Sequence, residues 1–296
     1  MKNTWNAGLA IRIALFYFTA AGICQNVQAQ SEVRFRQVRD CIIVVSVMAD
    51  NKGPFDFVLD TGADTTIVDP SLASKLSLTP PPAGVQQTTL AGVRTLNRVS
   101  MATLAVGPAH VENLPVLVQD LAGLRKMDSH VEGVAGQDFL SHFNYLLDYR
   151  RHSIRFEQDA EIQGGVEGDR VPIEGGEHRM IVASEAQSVN RAKLHLLLDS
   201  GANSVVLLPS ASQSLSLSVQ KNEIEATSAG QVELHVGVVR ALTVGSQQFH
   251  DITVALSASE PAERIGDGLL PTVLFHALYV NNHDGFVVLN PQPRKN

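Results

Sequence analysis

Phe55–Asp64 reads FDFVLDTGAD, an apolar run that stops abruptly at Asp60-Thr61-Gly62. A strand feeding a carboxylate into a turn made of a small hydroxyl residue and a glycine presents one Asp where backbone can approach closely. The pattern recurs: Lys193–Asn203 reads KLHLLLDSGAN, so Asp199-Ser200-Gly201 follows Asp60-Thr61-Gly62 after 139 positions. Flanking landmarks keep step. Met180-Ile181-Val182 lies 139 positions after Cys41-Ile42-Ile43, Leu208-Pro209 lies 139 after Asp69-Pro70, and Leu242-Thr243-Val244-Gly245 lies 138 after Leu104-Ala105-Val106-Gly107. The offset then falls to 135 at Asp267-Gly268-Leu269-Leu270 against Glu132-Gly133-Val134-Ala135, and to 132 at Phe275 against Phe143, as small loop-length differences would make it. The second half therefore repeats the order of the first.

Within one copy the pattern is β. Cys41–Met48 (CIIVVSVM) is β-branched and short for a helix, and Asn51-Lys52-Gly53-Pro54 separates it from Phe55–Asp60, which predicts a hairpin leading to the first aspartate. Asp69-Pro70 offers a cap and a first-turn proline for a short helix to about Leu76, and Pro80-Pro81-Pro82 closes that section. Gln86–Ser100 predicts a second hairpin around Ala91-Gly92, with two more strands over Met101–Val118. Val131–Leu140 (VEGVAGQDFL) reads as strand, glycine and short helix, and Tyr145–Phe156 as a closing strand pair. Gln158–Arg170 is acidic, glycine-rich and without apolar periodicity, as a linker is. The expected organisation is a segment at 1–29, a first lobe at 30–157, a linker at 158–170 and a second lobe at 171–296.

Residues 1–29 read as a secretory signal: Lys2 and Arg12 precede the apolar run Ile13–Ile23, and Val27-Gln28-Ala29 supplies the small residues of a cleavage site after Ala29. Eleven apolar residues are short for a bilayer crossing, so no stable membrane insertion is expected after cleavage, and export to a periplasm or the medium is. Ile23 stands where a lipidation site before Cys24 wants a small residue. The chain has 296 residues, 44% of them hydrophobic, enough for substantial cores. Without the signal it keeps 21 Lys and Arg against 30 Asp and Glu, a net charge near −9 that argues against a nucleic-acid partner. Cys41 then has no intramolecular disulfide partner, and nothing around it suggests a nucleophile or metal ligand. The ten histidines show no H-E-x-x-H or other compact ligand spacing, and neither G-x-S-x-G, G-x-G-x-x-G nor a P-loop occurs, so no metal or cofactor is expected.

Two equivalent lobes related by a pseudo-twofold would bring the two Asp turns face to face. Carboxylates at hydrogen-bonding distance cannot both ionise cheaply, so one proton is shared and the pair titrates as a unit. Such a pair suits peptide hydrolysis, with the ionised member as base on a water and the protonated member polarising the scissile carbonyl. Gly62 and Gly201 would permit the tight turn, Thr61 and Ser200 would hydrogen-bond across the interface, and Ala63 and Ala202 would keep the cleft floor low.

These residues resemble a known family. Asp60-Thr61-Gly62-Ala63-Asp64 followed by Thr65-Thr66-Ile67-Val68 is similar to the active-site segment of retropepsin-like, retroviral-type aspartic proteases, and Val134-Ala135-Gly136 resembles their later apolar-apolar-Gly element. The resemblance covers both halves. It implies a mainly β fold of two pseudo-twofold-related β-barrel lobes with short helices and a cleft between them, fused on one chain so that a monomer suffices for the site. It further implies Asp60 and Asp199 as catalytic, Thr61, Gly62, Ser200 and Gly201 as their supports, and an extended peptide as substrate. Asp64 matches a position that contacts substrate backbone, with neutral Asn203 as its partner, and Gly92 and Gly230 mark the expected flaps by position. Pro271 stands where the first lobe has Gly136, and the flaps lack a tyrosine. Those departures motivate a second reading, a non-catalytic peptide-binding or structural protein retaining the same fold.

Overall fold

The computed structural model describes residues 32–79, 84–89, 92–157, 161–176, 179–219, 221–227, 230–261 and 266–294; the signal stretch 1–29 and Pro80-Pro81-Pro82 lie outside them. In the first half run β1 (Glu32–Arg34), β2 (Arg36–Val38), β3 (Ile42–Ala49), β4 (Lys52–Leu59), β5 (Ile67–Val68), α1 (Pro70–Leu76), β6 (Val85–Thr89), β7 (Gly92–Val106), β8 (Ala109–Val118), α2 (Ala122–Arg125), β9 (Val131–Ala135), α3 (Gln137–Leu140), β10 (Tyr145–Asp148) and β11 (Ser153–Phe156). Then come α4 (Glu161–Gly165), β12 (Val166–Glu167) and β13 (Arg170–Pro172). The second half follows with β14 (Ile181–Gln187), β15 (Arg191–Asp199), β16 (Val205–Leu207), α5 (Pro209–Ser214), β17 (Lys221–Thr227), β18 (Gly230–Val244), β19 (Gln247–Ser257), β20 (Gly268–Pro271), a 3-10 turn (Thr272–Leu274), β21 (Ala277–Asn281), β22 (Phe286–Leu289) and β23 (Gln292–Pro293).

An eight-stranded sheet ordered β2-β3-β4-β9-β5-β8-β7-β6 closes on itself through β3–β7, and a seven-stranded sheet ordered β14-β15-β20-β16-β19-β18-β17 closes through β14–β18. Apart from β2 the two orders are identical, with β3 to β9 matching β14 to β20. In each, the strand carrying the aspartate pairs in parallel with β9 or β20, which in turn lies antiparallel to β5 or β16. Burial increases along both aspartate strands: β4 is exposed at its start and buried at Phe57–Leu59, and β15 is buried from Leu196 to Asp199. Apolar side chains thus draw each strand into the core until the Asp emerges at its end.

A third sheet joins the halves. Its order β1-β11-β10-β21-β22-β13 is antiparallel throughout and symmetric about the seam between β10 and β21. Tyr145, Leu147 and Ile154 from one side and Leu278, Val280 and Val287 from the other belong to one core cluster with both barrels. A large side chain buried there contributes roughly 1.5–3 kcal/mol, so the two lobes stabilise each other through this sheet.

Two local expectations are corrected. The first hairpin turns at Asp50-Asn51, both with positive φ (48° and 59°), and Lys52-Gly53-Pro54 already belongs to β4. Asp and Asn tolerate the left-handed conformation that a tight hairpin turn demands, so the Gly-Pro pair was not needed for the reversal. The region 86–118 has one uninterrupted 15-residue strand, β7, in place of a hairpin arm followed by a separate strand. Its start pairs with β6 and the rest with β8, so the flap hairpin is an extension of the barrel wall. Within the expected linker, residues 161–170 hold α4 and β12 and the start of β13. Ile162 is buried against Tyr279, Phe286 and Val288; one apolar anchor in a glycine-rich stretch leaves no period for sequence reading to detect.

Candidate active site

Each aspartate is held by its own turn. Asp60 N–H donates to Ala135 O at 3.0 Å, tying the loop to the end of β9. Gly62 N–H donates to Asp60 Oδ1 at 2.9 Å, and Gly201 N–H donates to Asp199 Oδ1 at 2.7 Å. Ala63 N–H donates to the Asp60 backbone carbonyl at 3.4 Å and closes that turn.

Hydrogen bonds between the lobes then lock the two turns together. Thr61 N–H donates to Ser200 Oγ and Ser200 N–H donates to Thr61 Oγ1, both at 2.9 Å. The Thr61 hydroxyl donates to Leu198 O at 2.9 Å, and the Ser200 hydroxyl donates to Leu59 O at 2.7 Å. Thr61 and Ser200 are both 1% exposed, so every one of these groups would be costly to leave unpaired. A Cβ at Gly62 would lie 2.5 Å from Asp199 Cγ, and one at Gly201 would lie 2.9 Å from Asp60 Oδ2. Each glycine therefore faces the carboxyl group of the opposite lobe, which no other residue type would permit.

The two carboxyl groups thus lie close together across the paired glycines, near enough to shift each other's titration. Burial raises the Asp60 pKa, against the lowering effect of the Gly62 N–H. Burial also pushes Asp199 well above the usual carboxylate range, and the neighbouring Asp60 charge adds to that rise. With both raised and each charge opposing the other, the pair holds one proton between them and titrates as a unit.

Support behind the turns differs between the lobes. In the first, Asp138 at the start of α3 accepts from Thr66 N–H at 2.9 Å and from the Thr66 hydroxyl at 2.6 Å, and Thr66 Oγ1 accepts from Gly136 N–H at 3.2 Å. Gln137, 1% exposed, donates through Nε2 to Thr61 O at 3.1 Å. In the second lobe strand register places Pro271 beside Asp199, the position Gly136 takes beside Asp60. The counterparts of Thr66 and Asp138 are Val205 and Val273, which pack with apolar neighbours. Pro271 lacks an N–H where Val205 lacks an oxygen to receive it, so neither leaves an orphan group. Pro271 does not keep Asp199 away from its partner.

The sequence brought Asp60, Thr61, Gly62, Asp199, Ser200 and Gly201 to attention, and the structure gathers all six. Asp64 is half-exposed and pairs with Arg179 of the second half at 2.8 Å, while Asn203 is exposed and its Oδ1 accepts from the Ser204 hydroxyl. Gly92 and Gly230 begin β7 and β18, paired with Thr89 and Thr227 in equivalent hairpins; residues 90–91 and 228–229 lie outside the described residues. Sequence reading missed Gln137, Asp138 and Arg179. The first two were visible only as the residues following Gly136, and Arg179 carries no motif. Among the described residues no group of three or more His, Cys, Asp or Glu side chains is placed to hold a metal ion, and no helix is long and apolar enough to cross a membrane.

The family model described as aspartyl protease matches residues 45–139 and 187–272, one region in each lobe and together more than half of the chain. The chain is also similar to a crystal structure of a retropepsin-like aspartic protease from Rickettsia conorii, at 18% identity and a TM-score of 0.33, over 42% of this chain and 90% of that one. Comparison with curated proteins finds no match.

Proposed function

The chain belongs to the aspartyl protease family, and from that premise we propose that it is an exported aspartic endopeptidase in which Asp60 and Asp199 activate a water for peptide-bond hydrolysis. The observation that carries this reading is the facing pair of buried carboxyl groups, each set against the glycine of the other lobe. Ionised Asp60 takes a proton from a water between the carboxyl groups as its oxygen attacks the scissile carbonyl carbon. Asp199 gives its proton to the carbonyl oxygen, so charge does not accumulate there. Collapse of the tetrahedral intermediate breaks the C–N bond as the proton held by Asp60 passes to the leaving nitrogen and one hydroxyl returns its proton to Asp199, giving the carboxylic acid and the starting pair. No covalent enzyme intermediate forms.

An extended peptide between the lobes, under the β6–β7 and β17–β18 hairpins, is the natural ligand, held partly by backbone hydrogen bonds. Export rests on the signal pattern at residues 1–29. The test is cleavage of an unfolded protein substrate by the chain from residue 30 onward. Asp60→Asn and Asp199→Asn are each expected to lower kcat by about 10³-fold or more while the fold is kept. Undiminished cleavage by either variant, or peptide binding without any cleavage by the unaltered protein between acidic and neutral pH, overturns this reading.

A further inference from the structure

One strand at the seam of the six-stranded sheet reaches behind both active-site turns. Tyr145 on β10 is 0% exposed, and Tyr149, one residue past its end, is 7% exposed. The Tyr145 hydroxyl donates to Met180 Sδ at 3.8 Å and lies near Gln137, whose Nε2 donates to Thr61 O. Tyr149 reaches the other way. Its hydroxyl lies 2.5 Å from Thr272 Oγ1, and its backbone N–H donates to His276 O at 2.9 Å. Phe35 packs edge-on to the Tyr149 ring at 6.1 Å and limits its movement. A first-half residue is thereby fastened at two points to the segment that follows Pro271, the residue in register with Asp199.

Thr272 is 1% exposed, so this hydroxyl pair sits in the interior. Two buried hydroxyl groups add little net stability over an apolar pair of the same shape, but once present they fix geometry, because separating them leaves both unpaired. The second lobe has no counterpart of the Asp138 clamp, and Tyr149 fills that gap from the other half. We infer that Tyr149 is a positioning residue for Asp199, acting through Thr272 to hold the Pro271-Thr272 backbone on which the second active-site turn rests. The inference uses the peptidase reading above only for its kinetic readout.

The test compares Tyr149→Phe, Thr272→Val and their double variant, with Asp199→Asn as reference. Tyr149→Phe is expected to lower kcat about tenfold with KM unchanged, since small misplacement of a reacting group is costly and Tyr149 lies behind the cleft floor. A loosened Asp199 is better solvated and less coupled to Asp60, so the basic limb of the pH profile moves to lower pH. Thr272→Val should do the same, the double variant should be no worse than either single one, and Thr272→Ser should retain activity. Carboxyl ¹³C NMR supplies a readout independent of cleavage: Tyr149→Phe is expected to lower the upper apparent pKa of the aspartate pair. A folded Tyr149→Phe or Thr272→Val protein with unchanged kcat and basic limb, additive single effects, or an unchanged carboxyl titration would overturn the inference. If Asp199→Asn also cleaves normally, it is the peptidase reading that fails, and the carboxyl titration alone decides the role of Tyr149.

Discussion

The turns at 60–66 and 199–205 present the same face to each other and rest on different supports. In front, the threonine–serine exchange and the turn hydrogen bonds repeat from lobe to lobe. Behind, the first turn is clamped by Asp138 through Thr66, and the second is packed on Val205, Pro271 and Val273. The difference also extends to the next helix. Asp69 caps α1 by accepting from Ser71 N–H, whereas Leu208 before α5 makes no side-chain cap bond. What this teaches is that a polar support works as a set. Either every donor meets an acceptor, as at Gly136, Thr66 and Asp138, or all are replaced together, and mixtures of the two would leave buried groups unpaired.

The largest effect expected from this comparison is on catalysis, where the differing supports should not matter: Asp199→Asn should be as inactive as Asp60→Asn, and a much milder Asp199 variant would break the equivalence of the two turns. Next comes Asp138→Val, which strips the acceptor from Thr66 N–H and hydroxyl in an interior where Thr66 is 0% exposed. It should cost about 3 kcal/mol or more in urea unfolding. Adding Thr66→Val to it brings the first lobe closer to the second, so the double variant should cost less than the sum of the two singles; strict additivity would show that the clamp is not a unit. Pro271→Gly is smaller, about 1–3 kcal/mol, because it adds chain freedom and an N–H that Val205 cannot receive.

The smallest expected effect is on stability against pH. Both aspartate pKa values are raised by folding, so the native state holds more protons than the unfolded chain above the ordinary carboxylate range, and this pair opposes folding increasingly as pH climbs through the raised values. Asp199→Asn should therefore raise Tm at neutral pH and leave it nearly unchanged below about pH 4, where the unfolded carboxyl is also protonated. A Tm difference of the same size at both pH values would point to packing instead.

Much of this was legible in the sequence because it repeats. The two D-[TS]-G turns, the matched offsets and the helix start at Asp69-Pro70 gave the lobes, the aspartates and their hydroxyl partners, since each is a local pattern with one physical reading. The support behind the turns was not legible, because it joins residues distant in the chain. Asp138 meets Thr66 across 72 positions, and Tyr149 meets Thr272 across 123. Pro271 could be seen as a departure, but that it matches an equally changed Val205 became visible only through strand register. The six-stranded sheet likewise pairs Tyr145–Asp148 with Ala277–Asn281, and no single-strand pattern names its partner. Within the expected linker, Ile162 is buried against Tyr279, Phe286 and Val288, an anchor that a lone apolar residue in a glycine-rich stretch does not announce.

The central claim is that two differently supported lobes present one coupled pair of carboxyl groups. It is tested most directly by following the Asp199 carboxyl by ¹³C NMR against pH, in the unaltered protein and in Asp60→Asn. The account predicts that Asp199 titrates well above a free aspartate in the first and at a clearly lower pH in the second, because the Asp60 charge that raises it is gone. An Asp199 titration that does not move on replacing Asp60 would contradict it.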